Sequence, residues 1–218
     1  MDRGKGTKRL NVMRPRLSIS SLRVIFAVLV ANFIIPLTEE GVAANPAGGK
    51  VPAVGSRVQP FTISEAGGGE IVITEQGDIA LAPWTYQIVK SKPQVIQYMP
   101  GTLAGREAFN SITERMKAEL DPLSYKFTLI VNVNEAAWGT RALVKRRVNS
   151  NKKAYPLASF VVDERGIGKQ KWQSDAKGLM LLIGPDGVIR EKLDSKSSSQ
   201  EFVTFFDALF DLLSANEP

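Results

Sequence analysis

The chain has 218 residues, 44% hydrophobic and 23% charged, which suits one globular domain with a sizeable core and is short for two. It has no cysteine and no histidine, which excludes disulfides, thiolate chemistry, zinc–sulfur sites and a lipid-modified cysteine, and removes the commonest general base and metal ligand. The net charge of +6 is uneven: residues 1–44 carry seven Lys/Arg against three Asp/Glu, leaving 21 bases and 19 acids for the rest. The basic excess belongs mainly to the leader, so no nucleic-acid partner is expected.

The leader is Arg-rich up to Arg23, then apolar from Val24 to Leu37, interrupted only by Asn32. Fourteen helical residues span about 21 Å, short of the roughly 30 Å hydrocarbon core. Val42-Ala43-Ala44 puts small residues at the positions a signal peptidase reads. Residues 1–44 therefore read as a signal peptide cut before Asn45, with the mature protein in the periplasm and membrane contact only transient. The alternative is an uncleaved inner-membrane anchor facing the periplasm.

Residues 45–69, rich in Gly, Ala and Pro at their start, are expected to form a flexible lead-in segment, with Gly67-Gly68-Gly69 as a loop. A domain is expected over 70–218. Glu70 to Thr74 and Ile79 to Ala82, split by Gly77-Asp78, predict a β-hairpin. Val95 to Met99 predicts a short strand stopped by Pro100-Gly101. A helix is predicted from about Ala104 to Leu120, with Phe109, Ile112, Met116 and Leu120 on one face. Tyr125 to Val133 is a β-branched run for a buried strand, Gly139 to Val148 a helix, and Phe160-Val161-Val162 a short strand. Leu179 to Ile183 and Val188 to Leu193 flank Pro185-Asp186-Gly187 as a hairpin. The last helix starts at Ser198 with Glu201 as a capping box and buries Phe202, Phe206, Leu209 and Leu213, widened by Phe205 and Phe210.

From Gln94 the order is strand, helix, strand, helix, short strand, hairpin, helix. Parallel strands need helical crossovers, so an α/β fold is expected: a mixed sheet flanked by helices, preceded by an N-terminal β-hairpin. That is also the order of the thioredoxin-like fold.

Ser150-Asn151-Lys152-Lys153-Ala154-Tyr155-Pro156, then Phe160-Val161-Val162-Asp163 and Trp172, resemble the central signature of the YtfJ family. Val95-Ile96-Gln97, Gly101 and Thr128-Leu129-Ile130-Val131-Asn132 resemble it too, so the match spans roughly residues 94–193. These are exported proteins of Gram-negative bacteria with a thioredoxin-like fold and no established activity. The resemblance implies a periplasmic location and no particular reaction. Where thioredoxins carry their redox pair, this chain has Met99-Pro100-Gly101-Thr102-Leu103-Ala104-Gly105-Arg106. A thiol–disulfide oxidoreductase is therefore excluded.

Four places can carry function. A Gly-containing turn at Pro100–Arg106 opens a helix, and Thr102 and Arg106 can hold an anion there; equally, Thr102 caps the helix and Arg106 is solvated. Lys145, Arg146, Arg147, Lys152 and Lys153, with Asn151, form a basic cluster suited to an anionic headgroup, a glycan phosphate or an acidic partner, or else a solvated helix end. Tyr155, Pro156 and Trp172 can serve recognition beside those cations, or pack on the sheet edge. Asp163, Glu164 and Asp186 sit in Gly-containing turns, where local hydrogen bonding is their ordinary use.

No P-loop, dinucleotide fingerprint, nucleophile elbow or calcium loop occurs, so no cofactor or metal is expected and no catalytic residue is assigned. The binding candidates are Thr102, Arg106, Asn151, Lys152, Lys153 and Tyr155. The expected function is a periplasmic binding or accessory protein for a protein partner or a small anionic ligand. The alternative is a non-thiol hydrolase or transferase using Lys, Tyr and carboxylates, with a strongly shifted Lys or Tyr in a pocket near Thr102.

Overall fold

The computed structural model describes residues 49–174 and 177–215. They fall in the unit from Pro46 to Pro218. The leader, its apolar run and the cut expected before Asn45 lie outside the described residues. In chain order the strands are β1 (Thr62–Ile63), β2 (Gly68–Ile73), β3 (Ile79–Ala82), β4 (Trp84–Thr85), β5 (Gln94–Pro100), β6 (Lys126–Asn132), β7 (Ser159–Asp163), β8 (Leu179–Ile183) and β9 (Ile189–Asp194). The helices are α1 (Leu103–Ala108), α2 (Asn110–Glu119), α3 (Arg141–Ala154), α4 (Ile167–Trp172) and α5 (Ser199–Ser214).

Seven strands form one sheet in the order β3-β2-β7-β6-β5-β8-β9. The central three, β7, β6 and β5, are parallel; β2 joins β7 and β8 joins β5 antiparallel. Both predicted hairpins are present, β2–β3 and β8–β9. This is the expected mixed sheet with helices on its faces and an N-terminal hairpin.

Side-chain alternation gives the sheet two separate cores. On one face Val95, Met180, Leu182 and Leu193 meet Phe109, Ile112 and Met116 of α1–α2 and Phe205, Phe206 and Leu209 of α5. Further along that face Leu129, Val131, Phe160 and Val162 meet Val148 of α3. On the other face Ile96, Tyr98, Ile130 and Val161 are covered by Trp172 of α4 and by Val58, Phe61, Ile63, Trp84 and Tyr86. The Phe61 ring sits edge-on to Trp172 at 4.8 Å and to Trp84 at 5.4 Å.

That second core corrects the expectation for residues 45–69. Val58, Phe61 and Ile63 are buried, so from Val58 onward the segment is part of the domain. The Gly67–Gly69 loop is also revised, since Gly68 and Gly69 open β2. Gly68 (φ +109°) pairs with Asp163 so closely that a Cβ would lie 1.9 Å from the Val162 carbonyl oxygen. The helix predicted over 104–120 is two helices, because the fully buried Phe109 (φ −121°, ψ 12°) leaves the helical region between α1 and α2. The α3 helix runs six residues past its predicted end at Val148. In α5 the Ser198–Glu201 capping box forms as expected, but Phe210 is exposed and does not widen the buried face. Among the described residues no helix is long and apolar enough to cross a membrane.

Candidate functional site

The crossovers β5–α1–α2–β6 and β6–α3–β7 set α1–α2 and α3 on the same face of the sheet. α2 commits its apolar face to α5, where Arg115 also lies 3.6 Å over the Phe206 ring. Its other flank carries Asn110, Thr113 and Lys117, which with Arg106 of α1 follow a spacing of four, three and four. α3 presents Val144, Arg147, Val148 and Asn151 at helical spacing. These two flanks are the walls of a groove with a cavity volume of about 950 Å³. Met99, Phe127, Leu129, Val131 and Phe160 floor it, together with one polar side chain, the buried Gln97. Gln97 has only 3.5 Å contacts to Met99 Sδ and Thr113 Oγ1.

Both ends of the groove are narrowed by contacts between its walls. At one end Gly101 lies against α3, so that a Cβ there would be 3.3 Å from Val144 Cγ1. At the other, Lys117 sits 4.8 Å over the Tyr155 ring while also pairing with Glu114 at 2.8 Å. Around the mouth stand Leu103, Leu143 and Leu157, each more than 60% exposed. Exposed leucines ringing an apolar trough mark a surface built to meet something. Tyr125, at the Lys117 end, has its pKa raised by burial and then by Asp121. Its phenol therefore stays protonated and is a poor nucleophile at neutral pH.

Of the six predicted binding residues, Thr102, Arg106, Asn151 and Tyr155 line this groove, drawn from two stretches about 50 residues apart. Lys152 and Lys153 do not line it. Lys152 instead donates to the Pro156 and Ala158 carbonyls, both at 2.9 Å, and so fixes the turn after α3. The Thr102 hydroxyl accepts from Gly105 N–H at 3.1 Å as the cap of α1, so it is committed to the helix end. Within the basic cluster Lys145 pairs with Glu164, while Arg146 and Arg147 are exposed. Trp172 is fully buried and packs.

The turn carboxylates behave locally. Asp186 accepts from Val188 N–H and Arg190, and the Val188 bond foremost lowers its pKa. Asp163 is fully buried on the face opposite the groove. It accepts from the backbone N–H of Arg165, Ile167 and Gly168 at the start of α4, and from Tyr98 Oη at 3.2 Å. Nearby, Glu135 receives Asn132 Nδ2 at 2.9 Å and pairs with Lys169. Burial, and then Asp163, push the Tyr98 pKa far above its ordinary value. This strongly shifted tyrosine points away from Thr102, so the hydrolase reading finds it on the wrong side of the sheet. Among the described residues no group of acidic side chains could hold a metal ion. The groove's floor and most of its walls are spelled by scattered residues; Thr102–Arg106, Asn151–Pro156 and, from the basic cluster, Arg147 on the α3 wall are the lining positions that carried a sequence signal.

Residues 53–209 match a family model described as bacterial protein of unknown function (YtfJ_HI0045). The chain is 29% identical over 161 residues to the uncharacterized protein YtfJ of Escherichia coli K12, covering 73% of this chain and 86% of the relative. It is 26% identical over 138 residues to an uncharacterized protein of Haemophilus influenzae, covering 62% and 74%. Among solved structures, a thioredoxin-like superfamily protein, SPOA0173, superposes with a TM-score of 0.51 at 14% identity, covering 74% of this chain and 97% of its own. The hypothetical protein SMc02350 of Sinorhizobium meliloti 1021 gives 0.52 at 11% identity, covering 78% and 88%. The fold is thioredoxin-like.

Proposed function

The chain belongs to the family of bacterial proteins of unknown function YtfJ_HI0045, and from that starting point we propose that it is a periplasmic binding protein whose ligand lies in the groove between α1–α2 and α3. The observation that carries this is the groove itself: about 950 Å³, apolar along most of its floor, with polar side chains set among apolar ones along its walls, and open to solvent. Ligand sites commonly occupy such volumes and combine an apolar lining with a few placed polar groups. With no cysteine, the chain's own side chains supply no thiol for disulfide exchange, so the thioredoxin-like scaffold is used without that chemistry. Export rests on the basic leader, its short apolar run and the small residues before Asn45.

A neutral apolar dye, N-phenyl-1-naphthylamine, tests the site. Saturable fluorescence enhancement at one dye per chain is expected. Asn151→Trp, which places an indole between the walls, should abolish it without lowering the melting temperature. Enhancement that survives Asn151→Trp unchanged would put the binding elsewhere. Export is tested separately by osmotic-shock fractionation and the intact mass of the released protein, which should begin at Asn45. A chain recovered whole with the inner membrane would support the anchored form instead.

A further inference from the structure

We infer that the groove's ligand is a single-chain amphiphile with a carboxylate head, a long-chain fatty acid anion, seated by Arg106 and Arg147; this rests on the groove being the binding site. The two arginines line opposite walls, Arg106 on α1 and Arg147 on α3. Each stands about one helical turn beyond the contact that brings Gly101 against Val144, so they occupy matching levels of the trough. Neither is paired with a carboxylate among the described residues, whereas Lys117, Lys145 and Lys169 each have one. Two arginines flanking an apolar floor are suited to a planar anion that accepts from both forks.

The rest of the groove suits one hydrocarbon chain. From Arg106 to Lys117, where the far end closes, its α1–α2 wall runs roughly 16 Å. Beyond the arginines the floor continues through Phe127 and Leu129 to Tyr125 and Leu120. Lys117 over Tyr155 closes the far end, so the chain's tail would stop beneath that pair. A carboxylate at the arginines and an apolar tail along the floor therefore match that end and the middle of the groove, while the Lys117 ammonium at the far end is already held by Glu114 and the Tyr155 ring. Each buried methylene of the tail strengthens binding by about fourfold.

The experiment titrates the purified protein with cis-parinarate, a fluorescent long-chain carboxylate, and in parallel with its uncharged methyl ester. Saturable 1:1 binding of the carboxylate is expected, with the ester about tenfold weaker or worse. The double variant R106A/R147A should lose that tenfold for the carboxylate and leave the ester unchanged. Arg146→Ala, an exposed neighbour outside the groove, should change neither. Equal affinity for acid and ester in both proteins would overturn the carboxylate assignment and leave groove binding standing. Binding of the naphthylamine dye with no parinarate binding would also overturn it. Competition by two-chain phosphatidylglycerol vesicles as effective as free palmitate would overturn the single-chain assignment. If neither the dye nor any of the lipids binds, the groove reading itself fails.

Discussion

The Tyr98 hydroxyl donates to the Asp163 carboxylate across an intervening strand: Tyr98 lies on β5, Asp163 on β7, and β6 runs between them. The same carboxylate holds three backbone N–H groups at the start of α4. One buried side chain thus anchors α4 to two central strands. Asp163→Ala would orphan four donors and should cost about 3 kcal/mol or more, read as a lowered urea midpoint. Asp163→Asn should also destabilise, by about 2 kcal/mol, because one oxygen becomes an NH2 facing donors.

Tyr98 sets an alkaline limit. Its folded pKa is raised, by burial first and by Asp163 second, so the folded state holds the neutral phenol while the unfolded chain ionises near pH 10. Its contribution is therefore fully present below about pH 10 and is lost as pH rises beyond it. Tyr98→Phe should lower stability at pH 7 by about 1 kcal/mol and flatten the decline above pH 10, measured by urea unfolding from pH 8 to 11.

Lys152 links the helix end to the groove. Lys152→Met keeps most of the alkyl stem and removes the bonds to the Pro156 and Ala158 carbonyls. About 1 kcal/mol of stability should go with them. Because Tyr155, Pro156 and Leu157 line the groove, dye affinity should fall severalfold in the same variant. Lys153→Met, at an exposed position outside the groove, should do neither.

Gly68→Ala should be the most damaging small change in the domain. Its Cβ would meet the Val162 carbonyl at 1.9 Å, and its φ of +109° is strained for any other residue. A loss above about 3 kcal/mol is expected, with insolubility on expression as the extreme outcome. Gly77→Ala, at φ +84° in the open hairpin turn, should cost only about 1 kcal/mol by the same unfolding measurement.

Local signals made much of the fold legible. Turn residues announced both hairpins, and Ser198 with Glu201 announced the last helix. The missed elements have weak local signatures. α4 is Ile167-Gly168-Lys169-Gln170-Lys171-Trp172, a helix of six residues with a glycine inside, held by Asp163 from outside its own sequence. β1 and β4 are two residues each and exist through pairing with one another. Thr102, Arg106, Asn151 and Tyr155 could be singled out by residue type. That they face one another across a cavity follows from the crossovers and from the extension of α3 to Ala154, which tertiary packing decides.

β5 and β6 serve two compartments at once. Gln97, Met99, Leu129 and Val131 look into the groove, while Ile96, Tyr98 and Ile130, their neighbours in sequence, look into the closed core. The two strands act as a partition only one backbone thick. Gln97 and Met99 can therefore drift toward a new ligand while Ile96 and Tyr98 between and beside them keep the chain folded, whereas Val95, Leu129 and Val131 also pack against the helices, so specificity and stability separate only along the middle of β5.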